Sequence, residues 1–205
     1  MAQIIDLSLS LNNSTPIYPG DPKVEIKTEL GFWNQSIANI SVHAGTHVDA
    51  PFHKFKNGKM LSEFPLGQFF LRAFKIVLEK DSGEILESEI LRFAKNIEKA
   101  EAIVLQTGYG KKMLEGKIDK DYPALSKKAA EFLAGFPNLK LVGIDAPSID
   151  CYKKSGAHEQ LLGKNILVLE SLLNLEKAPQ EFTLACFPIK FEKDAAPCRA
   201  VAIIE

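Results

Sequence analysis

The stretch SVHAGTHVDAPFH, residues 41–53, decides how this chain is read, because it gathers chemistry that the rest of the sequence lacks. It holds three of the four histidines, His43, His47 and His53, with one carboxylate, Asp49. The spacing is H-x3-H-x-D-x3-H. Imidazole nitrogen and carboxylate oxygen together suit a borderline divalent cation such as zinc or manganese. No regular element converges them. On a helix, positions 43 and 47 share a face but 49 points away, and Gly45, Thr46 and Pro51 all weaken a helix. On a strand, 43, 47 and 49 share a face, yet the extended run spans roughly 20 Å, too far for ligands on bonds of about 2 Å. The chain must bend, and Gly45 permits it. The expectation is a strand, IANISV (37–42), entering a tight ligand loop.

Composition sets the frame. A chain of 205 residues with 46% hydrophobic residues can bury a sizeable core, and one domain over 1–205 is expected. Lys+Arg number 25 against Asp+Glu 26, which argues against a nucleic-acid or membrane footprint. The start, MAQIIDLSLSLN, lacks a basic and apolar leader, and no apolar run approaches the roughly 20 residues of a membrane span, so a cytoplasmic location is expected. Cys151, Cys186 and Cys198 are odd in number and widely spaced, as suits a reducing compartment. The contexts of Cys186 and Cys198 are apolar and read as core.

Along the chain, IIDLSLSLN alternates at Ile5, Leu7, Leu9 and Leu11, the period of a half-buried strand. STPIYPGDP (14–22) is turn-rich. VEIKT, IANISV, AFKIVLE, AIVLQT, LKLVGID, NILVLE, FTLACFPI and CRAVAII read as further strands. Leu86, Ile90, Phe93, Ala94 and Ile97 recur at helical spacing, predicting one amphipathic helix over 86–98. A second helix starts at the N-cap Ser126 and turns Ala129, Phe132 and Leu133 inward. The class is α/β, with many strands and few helices, so sheets must pack partly on each other.

The cluster leaves room for further ligands. The fourth histidine, His158, stands alone in KSGAHEQLLGKNILVLES, and Glu170 ends the apolar run NILVLE. A carboxylate ending a buried strand needs a partner, and a metal is one. His158-Glu159 does not open a zincin motif, because the fifth position is Leu162. A structural zinc site would lean on cysteine, and none is near the cluster. Thr46 and Ser148 lack any pattern of a nucleophilic triad, and GYGKK lacks phosphate-loop spacing. Asp145 and Asp150 in GIDAPSID either touch the site or a partner subunit, or form a strand-end turn with Asx hydrogen bonds.

HAGTHVDAPFH resembles the signature of the cyclase family of metal-dependent hydrolases, which includes bacterial kynurenine formamidase and isatin hydrolase. PIYPGDP, QTGYG, YPALSKKAAEFLAGFPNLKLVGIDAPSID and FPIKFEKDAAPCRAVAI resemble further segments of that family, nearly end to end. The resemblance implies a swivelling β/β/α fold and a homodimer or homotetramer. It implies two divalent metal ions, zinc first and manganese second, held by His43, His47, Asp49, His158 and Glu170, with Asp49 and Glu170 each reaching both ions. It implies His53 as the acid/base. Tyr18 falls where kynurenine formamidases commonly carry a tryptophan against the aromatic substrate, and tyrosine can still stack. The implied reaction is hydrolysis of an amide, formamide or cyclic amide C–N bond by metal-activated hydroxide, on a small-molecule substrate the sequence does not name. Two other readings stand beside it: a cyclase- or lyase-type enzyme working by proton abstraction, and a silent metal- or small-molecule-binding protein.

Overall fold

A computed structural model describes residues 2–204. The strands are β1 (Gln3–Asp6), β2 (Glu25–Glu29), β3 (Gln35–Asn39), β4 (His47–Asp49), β5 (Phe70–Val77), β6 (Glu84–Ile85) and β7 (Ala102–Gln106). They continue with β8 (Ala124–Leu125), β9 (Leu141–Ile144), β10 (Leu167–Glu170), β11 (Glu181–Ala185), β12 (Ala195–Pro197) and β13 (Val201–Ile204). The α-helices are short: α1 (Glu87–Leu91), α2 (Ala94–Ile97), α3 (Gly110–Leu114), α4 (Lys127–Ala134) and α5 (Gly156–Leu162).

Nine strands form one sheet in the order β1-β13-β11-β5-β7-β9-β10-β4-β12. Its centre, β5-β7-β9-β10, is parallel, and antiparallel strands flank it on both sides. The central strands β9 and β10 are buried throughout, as their continuous apolar runs require. Alternate residues feed two cores. Ile103, Leu105, Val142, Ile144 and Val168 face the helices, meeting Ile90, Ile97, Ala129, Leu133 and Leu161. Leu71, Ala102, Val104, Leu141, Leu167 and Leu169 face the other way, joining Leu184 and Ala202 from one flank and Val48 and Ala196 from the other.

That second core shows how the expected packing of sheet on sheet is realised. A single sheet curls until its flanks meet. The segment after β1 crosses the gap: Leu7 N–H donates to Ala200 O, Leu173 N–H to Leu7 O, and Leu9 N–H to Thr46 Oγ1. Regular pairing of β1 stops at Asp6, while Leu7 and Leu9 stay buried on the predicted alternation.

Ser126 Oγ accepts from Ala129 N–H and caps α4 as predicted. The helix expected over 86–98 is broken into α1 and α2. The break falls at Phe93, whose ring turns onto Phe74 with centroids 6.0 Å apart. Both halves still bury their stripe, through Ile90 and Ile97. Among the described residues β2 and β3 pair only with each other, and they are exposed along nearly their whole length, so their alternation faces no core. Cys186 is buried, Cys198 and Cys151 are partly buried, and all three are free thiols.

Candidate metal centre

The bend comes where the spacing required it. Gly45 takes φ +64°, in the left-handed region, and a Cβ there would lie 2.8 Å from Leu11 Cδ2. Thr46 then anchors the loop at both sides: Oγ1 accepts from Leu9 N–H at 2.8 Å and donates to Ser171 O at 2.7 Å. β4 begins at the next residue, His47. Its antiparallel register with β10 sets His47 opposite Glu170 and Asp49 opposite Val168. His47, Asp49 and Glu170 therefore share the helix-side face, at the C-terminal end of the parallel strands, where open α/β sheets place their ligands.

α5 brings the fourth histidine to the same spot. Asp150 Oδ2 accepts from both the backbone N–H of His158 (3.0 Å) and its ring Nδ1 (2.7 Å), while Oδ1 accepts from Ala157 N–H at 2.7 Å. With Nδ1–H committed, His158 Nε2 carries a lone pair, and it lies 3.3 Å from both Asp49 Oδ2 and Glu170 Oε1. His47 is oriented in the same way. Its Nδ1 donates to Gly45 O at 2.9 Å, and Nε2 lies 3.4 Å from Asp49 Oδ1 and from Glu170 Oε2. Glu170 Oε1 is steadied by Ile149 N–H at 2.7 Å and Ser148 Oγ at 3.2 Å.

The result is two imidazole lone pairs facing two carboxylates in a buried space. His47 Nε2 and Asp49 Oδ1 are buried there without a hydrogen-bond partner. Unpaired buried polar atoms are destabilising, and with both rings neutral and both Nδ1 atoms donating outward, the inward nitrogens have no proton to offer the carboxylates. A divalent cation would satisfy both, so the residues fit the group the spacing called for. His47, Asp49 and Glu170 have ligand atoms within 4.8 Å of one another, and so do His43, Asp49 and His53. The space favours positive charge: burial alone would push His47 and His158 down, yet the surrounding carboxylates raise both, so ring protons and a cation compete for the same inward nitrogens. Burial opposes ionisation of Glu170, but the hydrogen bond from His158 leads the opposing contributions that hold it down at about 2.

His43 stands at the rim, with Nδ1 2.9 Å from Asp49 Oδ1 and Nε2 2.9 Å from Asp194 Oδ2. Burial would lower it, but Asp49 and then Asp194 raise it to about 9. His53 sits in the short 3-10 turn Pro51–His53, its ring centroid 4.4 Å from His43 and 5.3 Å from His158. Tyr18 lines the same cavity, of about 220 Å³, and packs against Tyr152 (6.0 Å) and Tyr122 (6.3 Å). A larger groove, about 450 Å³, opens between Arg72 and Thr183 and holds none of the clustered histidines, so the smaller cavity is the candidate site.

All seven residues singled out in the sequence, Tyr18, His43, His47, Asp49, His53, His158 and Glu170, thus line one cavity. Of the two aspartates left open, Asp150 grips His158, whereas Asp145 accepts from Thr107 N–H, Thr107 Oγ1 and Gly108 N–H and staples that loop. Asp194 was missed. It lies 151 positions from His43, and no local pattern marks it.

The family model described as "Putative cyclase" matches residues 5–151. The chain is 31% identical to the kynurenine formamidase of Bacillus thuringiensis subsp. konkukian over 206 aligned positions, covering 96% of this chain and 95% of that one. Its fold matches that of a protein described as a potential metal-dependent hydrolase with cyclase activity, with TM-score 0.86, 22% identity and coverage of 100% and 99%. It also matches isatin hydrolase A from Labrenzia aggregata bound to benzyl benzoate, with TM-score 0.86, 20% identity and coverage of 99% and 94%. With its family segment matched over most of its length and its sheet, helices and histidine loop in place, this chain belongs to the cyclase family.

Proposed function

We propose that the protein is a metal-dependent hydrolase of a C–N bond in an amide, formamide or cyclic amide, with chemistry like that named for its kynurenine formamidase relatives. The observation that carries this reading is the buried set His47, Asp49, His158 and Glu170, with two Nε2 lone pairs held toward two carboxylates. Together with His43 these residues would hold the metal. Asp49 turns Oδ1 to His43 and His47 and Oδ2 to His158, which supports two ions sharing it, zinc before manganese. When bound, such an ion polarises a carbonyl and makes a water acidic near neutrality.

The protein's own residues do the rest. Gly45 O and Asp150 keep the Nε2 atoms of His47 and His158 turned inward, as outer partners of metal ligands do. His53, at the cavity mouth, takes the proton from the attacking water and returns it to the leaving nitrogen. Tyr18, backed by Tyr152, supplies an aromatic face for the substrate body. Formate release from N-formylkynurenine, by zinc- or manganese-loaded protein against a chelated control, tests the reading. Chelator-sensitive release supports it; no release from fully loaded protein, and none from a panel of amides, imides and lactams, sinks it.

The homo-oligomer reading gains a surface. The β2–β3 arm carries Leu30, Phe32 and Trp33 at its tip, 82%, 93% and 81% exposed. A lone two-stranded ribbon is marginal in water, and apolar tips of this kind mark contact sites. We assign the arm to contact with a second copy. Trp33 is the sole tryptophan, so its fluorescence reports directly. Emission that is blue-shifted and protected from quencher in a dimer or larger species, and lost in Phe32→Ser, is expected; a monomer with fully quenchable Trp33 refutes it.

A further inference from the structure

Asp194 is placed by the sheet. β12 runs antiparallel to β4 with Ala195 opposite Asp49, so Asp194 falls beside Ala50, the residue that leads into the turn carrying His53. Ala50 N–H donates to Asp194 O at 2.8 Å, and Leu61 N–H donates to Lys193 O at 3.0 Å. The ladder that sets Asp49 therefore sets Asp194 as well, and its side chain turns toward the cavity rim, 28% exposed.

One oxygen of that carboxylate meets two imidazoles. Asp194 Oδ2 lies 2.9 Å from His43 Nε2 and 3.3 Å from His53 Nδ1. A carboxylate oxygen only accepts, so both ring nitrogens must be the donors. In a neutral ring that leaves the lone pair on the opposite nitrogen. His43 Nδ1 is left toward Asp49, and His53 Nε2 is left free for proton transfer. His47 and His158 already show the same logic, each tied at its far nitrogen by Gly45 O or Asp150.

We infer that Asp194 is a positioning residue that orients His43 and His53 together, coupling a metal ligand to the acid/base through a single carboxylate oxygen. The inference rests on the hydrolase reading above for the role of His53, but its geometry can be tested without turnover. Asp194 touches neither substrate nor reacting atoms in this scheme. It acts through the two rings.

The test uses Asp194→Ala and Asp194→Asn, each alone and in a His53→Ala background, in the full zinc-loaded chain. Three readouts are taken: zinc affinity by competition with a chromophoric chelator, ring ¹⁵N shifts of His53, and kcat and KM for formate release from N-formylkynurenine. Asp194→Ala should weaken zinc about 10–100-fold. It should replace the Nδ1-protonated form of His53 with a mixture, and lower kcat about 100-fold with KM little changed. Asp194→Asn keeps an acceptor oxygen and should recover part of each loss. In the His53→Ala background, removing Asp194 should cost no further kcat at saturating zinc. The inference is overturned if the full kcat loss recurs in that background, or if Asp194→Ala leaves zinc affinity and the His53 tautomer unchanged. Should His53→Ala alone prove fully active, it is the acid/base reading that fails, and the zinc and ¹⁵N measurements still decide the place of Asp194.

Discussion

Asp150→Ala is the sharpest test of how the centre is held. Asp150 is buried, touches no proposed substrate position and acts only through the start of α5 and the ring of His158. Its loss removes the cap on the Ala157 and His158 N–H groups, about 1–2 kcal/mol. It also strands the Nδ1–H of a ring that is 7% exposed, about 1–3 kcal/mol. The sum, about 2–5 kcal/mol, is a large share of the 5–15 kcal/mol typical of a domain. Zinc affinity should fall as well, about 10–100-fold, because His158 Nε2 is no longer aimed at Asp49 and Glu170. Urea unfolding of the zinc-free protein measures the first effect and a zinc titration the second. Asp150→Asn, which keeps one acceptor, should fall between. A variant that loses under about 0.5 kcal/mol and binds zinc like the parent would refute the reasoning. It would mean that Ala157, Leu161 and Leu162 hold α5 and His158 by packing alone.

Two further outcomes separate roles and fix a pH window. His53→Ala should keep bound zinc and lose most formate release, whereas His47→Ala should lose both; equal loss of zinc by the two variants would make His53 a ligand, as its closeness to His43 and Asp49 allows. Away from the site, the hydrogen bond from Lys140 leads the contributions that hold Glu101 at about 2, against its ordinary 4.5. The folded state therefore favours the ionised carboxylate, so this stabilisation is present above pH 4.5 and fades as pH falls from there through about 2. Because Lys140 is 41% exposed, the difference between wild type and Glu101→Gln in urea unfolding should be about 1 kcal/mol or less, and should vanish across that window; a gap that persists at the acid end would contradict it.

What the sequence made legible was local. The bend at Gly45 followed from chain dimensions alone, and the cap at Ser126 from side-chain chemistry. The parallel strands announced themselves as unbroken apolar runs. What it hid was set by tertiary partners. The spacing of Leu86 to Ile97 is helical, but nothing in it says that Phe93 will leave the helix for Phe74. VEIKT and IANISV alternate as a half-buried strand does, and periodicity cannot tell a strand on a core from an arm that lacks one. The curl of the sheet was invisible because it depends on backbone pairs such as Leu7 with Ala200, far apart in the chain. In the site, the residues rich in signal are those that concentrate within one loop. Asp150 was visible only as one of two aspartates in a turn, and Asp194 not at all, because an aspartate that serves a distant histidine has no sequence neighbour to betray it.

The same division explains why the centre forms here. Parallel strands leave their C-terminal ends open, and a carboxylate there, Glu170, is buried without a neighbouring strand's side chain to answer it. Docking β4 antiparallel on β10 supplies that answer by register, because the residue opposite Glu170 is His47. β12 then closes β4 from its other side and delivers Asp194 to the rim. Each addition brings a histidine or carboxylate with its far side already bound to a fixed acceptor or donor: His47 to Gly45, His158 to Asp150, Glu170 to Ile149. The side chains that converge are thus oriented before any ligand arrives, so the conformational entropy of arranging them is met during folding rather than at binding. A histidine loop grafted onto a single strand would have the same residues in the same spacing and none of this restraint, which is why the function of the loop depends on strands more than a hundred residues further along the chain.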